Sequence, residues 1–163
     1  MSVAIEIHNL EKSYGANKAL AGVNLSVPMG GVFGVVGPNG AGKTTLFSVI
    51  SGFLRQDAGS VTILGAALEP GFPPPPGTIG VLPQDASFIR ELSLGWQMQH
   101  FCRLQGLSAS EAKAEVERTL ALVGLPEVAR KRAKALSHGM LKRVGIAQAL
   151  LGNPAVVILD EPT

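Results

Sequence analysis

The hydrophobic positions fall into stretches of period two and stretches of helical period. Residues 3–8 alternate, with Val3, Ile5 and Ile7 on one side, and Val23, Leu25 and Val27 alternate likewise. Both patterns predict half-buried strands of an antiparallel layer. Residues 32–36 and 155–159 are continuous apolar runs, as strands buried on both faces require. After the first run, Leu46, Val49, Ile50 and Phe53 recur at helical spacing. Residues 60–64 and 79–82 read as short strands. Between them, residues 70–77 hold four consecutive prolines, which force an extended surface connection.

From about residue 93 to 135 the period is helical. Leu94, Met98, Phe101 and Leu104 predict one apolar face. Ser108 and Glu111 have capping-box spacing ahead of a helix carrying Val116, Leu120 and Val123. Gly124 is placed to end that helix, and Pro126 keeps it from resuming. Another helix is expected after Ser137, with Leu141, Val144, Ala147 and Leu151 on its buried side, stopped by Asn153 and Pro154. No internal repeat is visible.

Composition narrows the picture. With 163 residues, 46% hydrophobic and 16% charged, the chain has enough apolar material for one ordinary core. A net charge of +2 does not by itself point to nucleic acid. The basic cluster Arg130, Lys131, Arg132 and Lys134 has no interleaved aromatic to stack bases, so it reads as a solvated helix end or loop. The single cysteine, Cys102, reads as a small buried apolar side chain in a reducing compartment. Residues 19–42 carry no charge over a bilayer-spanning length, but seven glycines, Pro28 and Pro38 interrupt them, so no single membrane helix is expected. The N-terminus lacks the charged and apolar regions of a secretory signal.

The chemistry is concentrated in two places. Gly37, Pro38, Asn39, Gly40, Ala41, Gly42, Lys43 and Thr44 fit G-x-x-x-x-G-K-[ST], with a predicted buried strand before and a helix after, and Thr45 is counted with them among the nucleotide-binding residues. Triphosphate oxygens need converging backbone N–H groups, and only a glycine-rich turn brings the backbone that close. The following helix aims the positive end of its dipole at the same charge. Lys43 would reach the β- and γ-phosphates and Thr44 would ligate Mg²⁺. The second place is the apolar strand ending in Asp160 and Glu161. A parallel strand delivers its C-terminal residues to the ligand crevice, so Asp160 would reach Mg²⁺ and Glu161 would orient or deprotonate the attacking water. The expected fold is α/β: a P-loop NTPase core with a mainly parallel sheet, an antiparallel edge layer and an α-helical insertion.

Leu136, Ser137, His138, Gly139 and Met140 resemble the ABC signature, usually written LSGGQ, and the Asp160–Glu161 strand follows at the family's spacing. Over essentially the whole chain the sequence is similar to the ATP-binding subunits of ABC transporters. The resemblance implies a partial ATPase domain, with residues 1–88 and 137–163 as nucleotide-binding core and β layer and 89–136 as helical subdomain. It implies that Gln84 is the family's glutamine-loop residue, contacting Mg²⁺ or the lytic water, and that Tyr14 stacks on adenine. It implies that Ser137 and Gly139 face ATP held by a second ATPase subunit, in a homodimer or pseudo-dimer. A separate transmembrane permease subunit is implied too, with the protein peripheral at the cytoplasmic face of the membrane; nucleic acid is not an expected partner. His138 and Met140 in the signature resemble stand-alone subunits of ABC-2 exporters. The family continues past Thr163 with a loop and a strand bearing a switch histidine, so the chain reads as C-terminally truncated, and hydrolysis is expected of the complete protein. A soluble, non-transport ABC ATPase acting on ribosomes or DNA, and a nucleotide-binding module without turnover, are the alternatives.

Overall fold

The computed structural model describes residues 2–162. They form two compact units that divide between Pro75 and Pro76.

The first unit is built on an antiparallel sheet. Strand β1 (Val3–Tyr14) lies between β2 (Asn17–Pro28) and β3 (Ala58–Ile63), and the short β4 (Ala66–Ala67) pairs with β3, giving the order β2-β1-β3-β4. Ile5 lies opposite Val27 and Ile63, and Ile7 opposite Leu25 and Val61. The alternation breaks after Ile7, where Asn9 adopts φ 47° and its N–H donates to Asn24 Oδ1 at 3.0 Å. That bulge shifts the phase by one residue, so Leu10 is buried although it is even-numbered. Helix α1 (Lys43–Ile50) contributes Leu46, Val49 and Ile50 to the unit's buried residues.

The second unit carries the parallel ladder. Strand β5 (Ile79–Leu82) pairs in register with β6 (Val156–Leu159). Helices α2 (Leu94–Leu104), α3 (Ala109–Leu122) and α4 (His138–Ala149), with short 3₁₀ turns at Pro126–Arg130 and Ala133–Ala135, enclose a core that includes Leu94, Met98, Cys102, Val116, Leu120 and Val144. The capping box forms as the spacing predicts: Ser108 Oγ accepts from the Glu111 N–H and the Glu111 carboxylate accepts from the Ser108 N–H. Helix α3 ends just ahead of Gly124. Helix α4 packs on β5 through glycines: a Cβ on Gly145 would strike the Leu82 side chain, and one on Gly80 would strike the Ala149 carbonyl.

Four expectations are corrected. The apolar run 32–36 forms no strand among the described residues, and Val32 and Val36 are almost fully exposed, at 105% and 97%. An apolar run states a preference for burial, but ladder partners make a strand, and the parallel ladder seen here is the β5–β6 pair. Phe53 falls outside α1, which stops at Ser51 ahead of Gly52, and it stands exposed. The buried stripe of α2 runs through Leu94, Met98 and Cys102, leaving Phe101 and Leu104 exposed. Gln97 lies in that stripe because its amide accepts from the Ile89 N–H and donates to the Ile89 and Leu92 carbonyls. Finally, β6 is covered on one side only, with Val157 on the open one.

Candidate functional site

In the first unit the glycine loop opens α1 as its motif predicts. Gly42 is the helix N-cap at φ 87°, where an added Cβ would run into the Ala19 carbonyl of β2. No side chain caps the helix and no acid lies in its first turn. The N–H groups at its start thus meet no cap or acidic side chain from the helix's own first turn, an arrangement suited to phosphate. The loop turns through an Ala41 N–H to Pro38 carbonyl bond of 3.2 Å. Lys43 Nζ donates to the Gly37 and Pro38 carbonyls at 2.8 and 2.9 Å, so its ammonium lies over the loop formed by Gly37, Pro38, Asn39, Gly40 and Ala41. Thr44 is exposed on the first turn and Thr45 half-buried beside it.

Tyr14 ends β1 with half its surface exposed. Asp57 fastens that strand end: it accepts from Lys12 Nζ at 2.9 Å and from the Ser13 N–H at 2.7 Å, and the Lys12 ammonium lies 5.9 Å from the centre of the Tyr14 ring. The Lys12 hydrogen bond, with that from Ser13, holds the Asp57 carboxyl below its usual range.

The second unit brings Gln84 and Glu161 together. They follow the C-terminal ends of the parallel strands β5 and β6, and the Gln84 amide donates to Glu161 Oε2 at 2.9 Å. Asp160 is 5% exposed, and its N–H extends the ladder by donating to the Leu82 carbonyl at 2.9 Å. Glu161 turns away from the strand at φ 48°, the left-handed region that side-chain-bearing residues rarely occupy. Lys142 of α4 donates to the Glu161 carbonyl at 3.1 Å. Ser137 is the N-cap of α4, its hydroxyl accepting from the Met140 N–H at 3.3 Å, and Gly139 lies open on the first turn.

The side chains predicted to ligate Mg²⁺ carry hard oxygens: the Thr44 hydroxyl in the first unit and, in the second, the Asp160 carboxylate and the Gln84 amide oxygen. No group of three or more His, Cys, Asp or Glu residues among the described residues is placed to enclose a metal. Few protein oxygens completed by phosphate and water is the coordination Mg²⁺ favours, so the residues fit the ion.

Two features lay outside the sequence reading. Lys142 was visible only as one charge within a helix, with nothing to pair it with Glu161, nineteen positions on. Glu115 of α3 accepts from Arg118 at 2.6 and 2.8 Å and from the Gly152 N–H at 2.8 Å, while Arg118 also donates to the Leu150 carbonyl at 3.1 Å. Together these bonds tie α3 to the turn that leads into β6. The Arg118 hydrogen bonds hold the Glu115 carboxyl below its usual range, against the opposing effect of partial burial. Among the described residues no helix is long and apolar enough to cross a membrane.

The family described as ABC transporter matches residues 20–163. Over 98% of its length the chain is 41% identical to the daunorubicin resistance ATP-binding protein DrrA3 of Streptomyces coeruleorubidus, of which it covers 51%. It is 36% identical to the Nod factor export ATP-binding protein I of Burkholderia orbicola, across the whole of this chain and 54% of that protein. The chain thus spans about half the length of these curated relatives. Among solved structures, the dimeric MJ0796, a bacterial ABC transporter cassette, superposes with a TM-score of 0.85 at 26% identity, over 98% of this chain and 74% of that one. The fold is the α/β fold of these cassettes, and cassettes of this family are ATPases. A family match from Leu20 to the end of the chain, joined to that shared fold, gives the identification: the chain belongs to the ABC transporter family, as its ATP-binding cassette.

Proposed function

We propose that the complete protein couples ATP hydrolysis to export through a separate membrane permease, working at the cytoplasmic face of the membrane. The observation that carries the catalytic part is the Gln84–Glu161 hydrogen bond at the C-terminal ends of two parallel strands, where ligands of open α/β sheets bind. Export is supported by relatives such as the Nod factor export ATP-binding protein I.

In this reading residues 1–88 and 137–163 are the nucleotide-binding core and 89–136 the helical subdomain. The glycine loop from Gly37 to Gly42 presents its N–H groups to the phosphates. Lys43 leaves the Gly37 and Pro38 carbonyls for the β- and γ-phosphate oxygens, exchanging two neutral acceptors for anionic ones. Thr44, Asp160 and Gln84 would hold Mg²⁺, which would neutralise charge on the phosphate oxygens. Glu161 accepts a hydrogen bond from the attacking water and orients it along the line of the bond that breaks. Gln84 would release Glu161 on ATP binding. Tyr14 stacks on adenine, and Ser137 and Gly139 present the start of α4 to the γ-phosphate of ATP held by a second ATPase subunit.

The test is Glu161→Gln in the full-length protein. It should bind Mg·ATP as the parent does, while kcat falls by about 10²-fold or more. Normal turnover by that variant would remove Glu161 from the chemistry.

A further inference from the structure

The geometry points to Lys142 as a positioning residue for Glu161, an inference that rests on reading Glu161 as the group that orients the attacking water. At φ 48° the peptide of Glu161 sits in a conformation that local sterics disfavour, so something outside the turn must hold it. Two groups do. Gln84 holds the carboxylate at 2.9 Å, and Lys142 holds the main-chain carbonyl at 3.1 Å. They differ in what they leave free. The Gln84 bond is made to Oε2 of the carboxylate, so it competes with a water for that oxygen. The Lys142 bond is made to the backbone and leaves both carboxylate oxygens available, so it can persist through the reaction.

The side chain suits that task. Lys142 is half-buried on α4, five residues after the Ser137 cap, whereas its neighbour Arg143 turns away to the Val123 carbonyl. An ammonium can present any of three N–H groups to one carbonyl, and the bond is charge-assisted. Lys142 also joins the helix that begins at the signature to the residue that follows β6. A displacement of α4 by about 1 Å would break or remake a 3.1 Å bond and re-aim the carboxylate with it. Lys142 does not itself touch the reacting atoms in this scheme; it acts through the turn at Glu161.

The experiment uses the full-length protein with Mg·ATP as the probe, and compares Lys142→Met, which keeps the stem and removes the donor, with Lys142→Arg, which keeps a charged donor. Lys142→Met should lower kcat about tenfold, the effect of one charge-assisted hydrogen bond, with KM for ATP and Tm unchanged. Lys142→Arg should recover most of the lost rate. The inference is overturned if Lys142→Met turns over at the parent rate, or if its kcat falls together with Tm and ATP affinity, as for a merely structural contact. The two levels separate cleanly. A fully active Lys142→Met beside a stalled Glu161→Gln sinks only the role of Lys142, whereas a fully active Glu161→Gln sinks the reading beneath it.

Discussion

At the residue scale, the proposed chemistry would rest on side chains that here hold partners within the protein. Lys43 is the clearest. Its ammonium bonds two carbonyls of its own loop, which satisfies it without committing it, because phosphate oxygens are stronger acceptors for the same hydrogens. Lys43→Ala should weaken Mg·ATP binding about tenfold or more in a titration, the value of one or more hydrogen bonds between charged groups. An unchanged affinity would mean that the loop N–H groups alone hold the phosphates. These residues were legible because their motifs encode backbone chemistry: the glycines at 37, 40 and 42 and the Lys-Thr pair follow from what a phosphate needs, independent of the rest of the fold. Lys142 was not legible, because a lysine on a helix has many solvated fates and only the folded turn at Glu161 supplies its acceptor. Cys102 was read as a small buried apolar group, and it is one; burial raises its thiol pKa, against any nucleophilic use.

At the element scale, the Glu115–Arg118 pair fixes α3 to the turn before β6. Its stabilisation has a defined sign with pH. The carboxyl is held below its usual value of 4.5, so the contribution is complete above that value and fades as pH falls through the depressed one. Glu115→Gln should therefore lower stability by about 1–3 kcal/mol at neutral pH, the range for hydrogen bonds to a charged group. The gap between parent and variant in urea titrations should narrow below pH 4.5. A gap that stays constant into acid would assign the loss to packing. Element positions were legible to different degrees. The capping box at Ser108 and the glycine after α3 fix their helix to the residue, since they are local chemistry. The face of α2 was not, because Gln97 enters the buried stripe only by binding a loop that periodicity cannot see. The run 32–36 shows the same limit in reverse: its apolarity is local, but the strand partners it needs are not.

At the scale of the whole molecule, the proposal requires a second copy or a homologous subunit, because in it Ser137 and Gly139, exposed at the start of α4, contact nucleotide held by that subunit. Full-length Glu161→Gln, held in its ATP-bound form, should sediment as a dimer in Mg·ATP and as a monomer in its absence. Ser137→Arg, which places a bulky side chain at that face, should abolish the shift. A mass independent of nucleotide would argue against a shared site. One feature of the second unit constrains how such a dimer signals. Gly80 lets β5 approach the Ala149 carbonyl of α4, and Gly145 gives the Leu82 side chain room against α4, so the two elements meet in close steric contact at those points. The signature end of α4 and the strand that leads to Gln84 should then move as a single lever. Any hinge is then left to the connecting segments, and a methyl group at either glycine would force β5 and α4 apart.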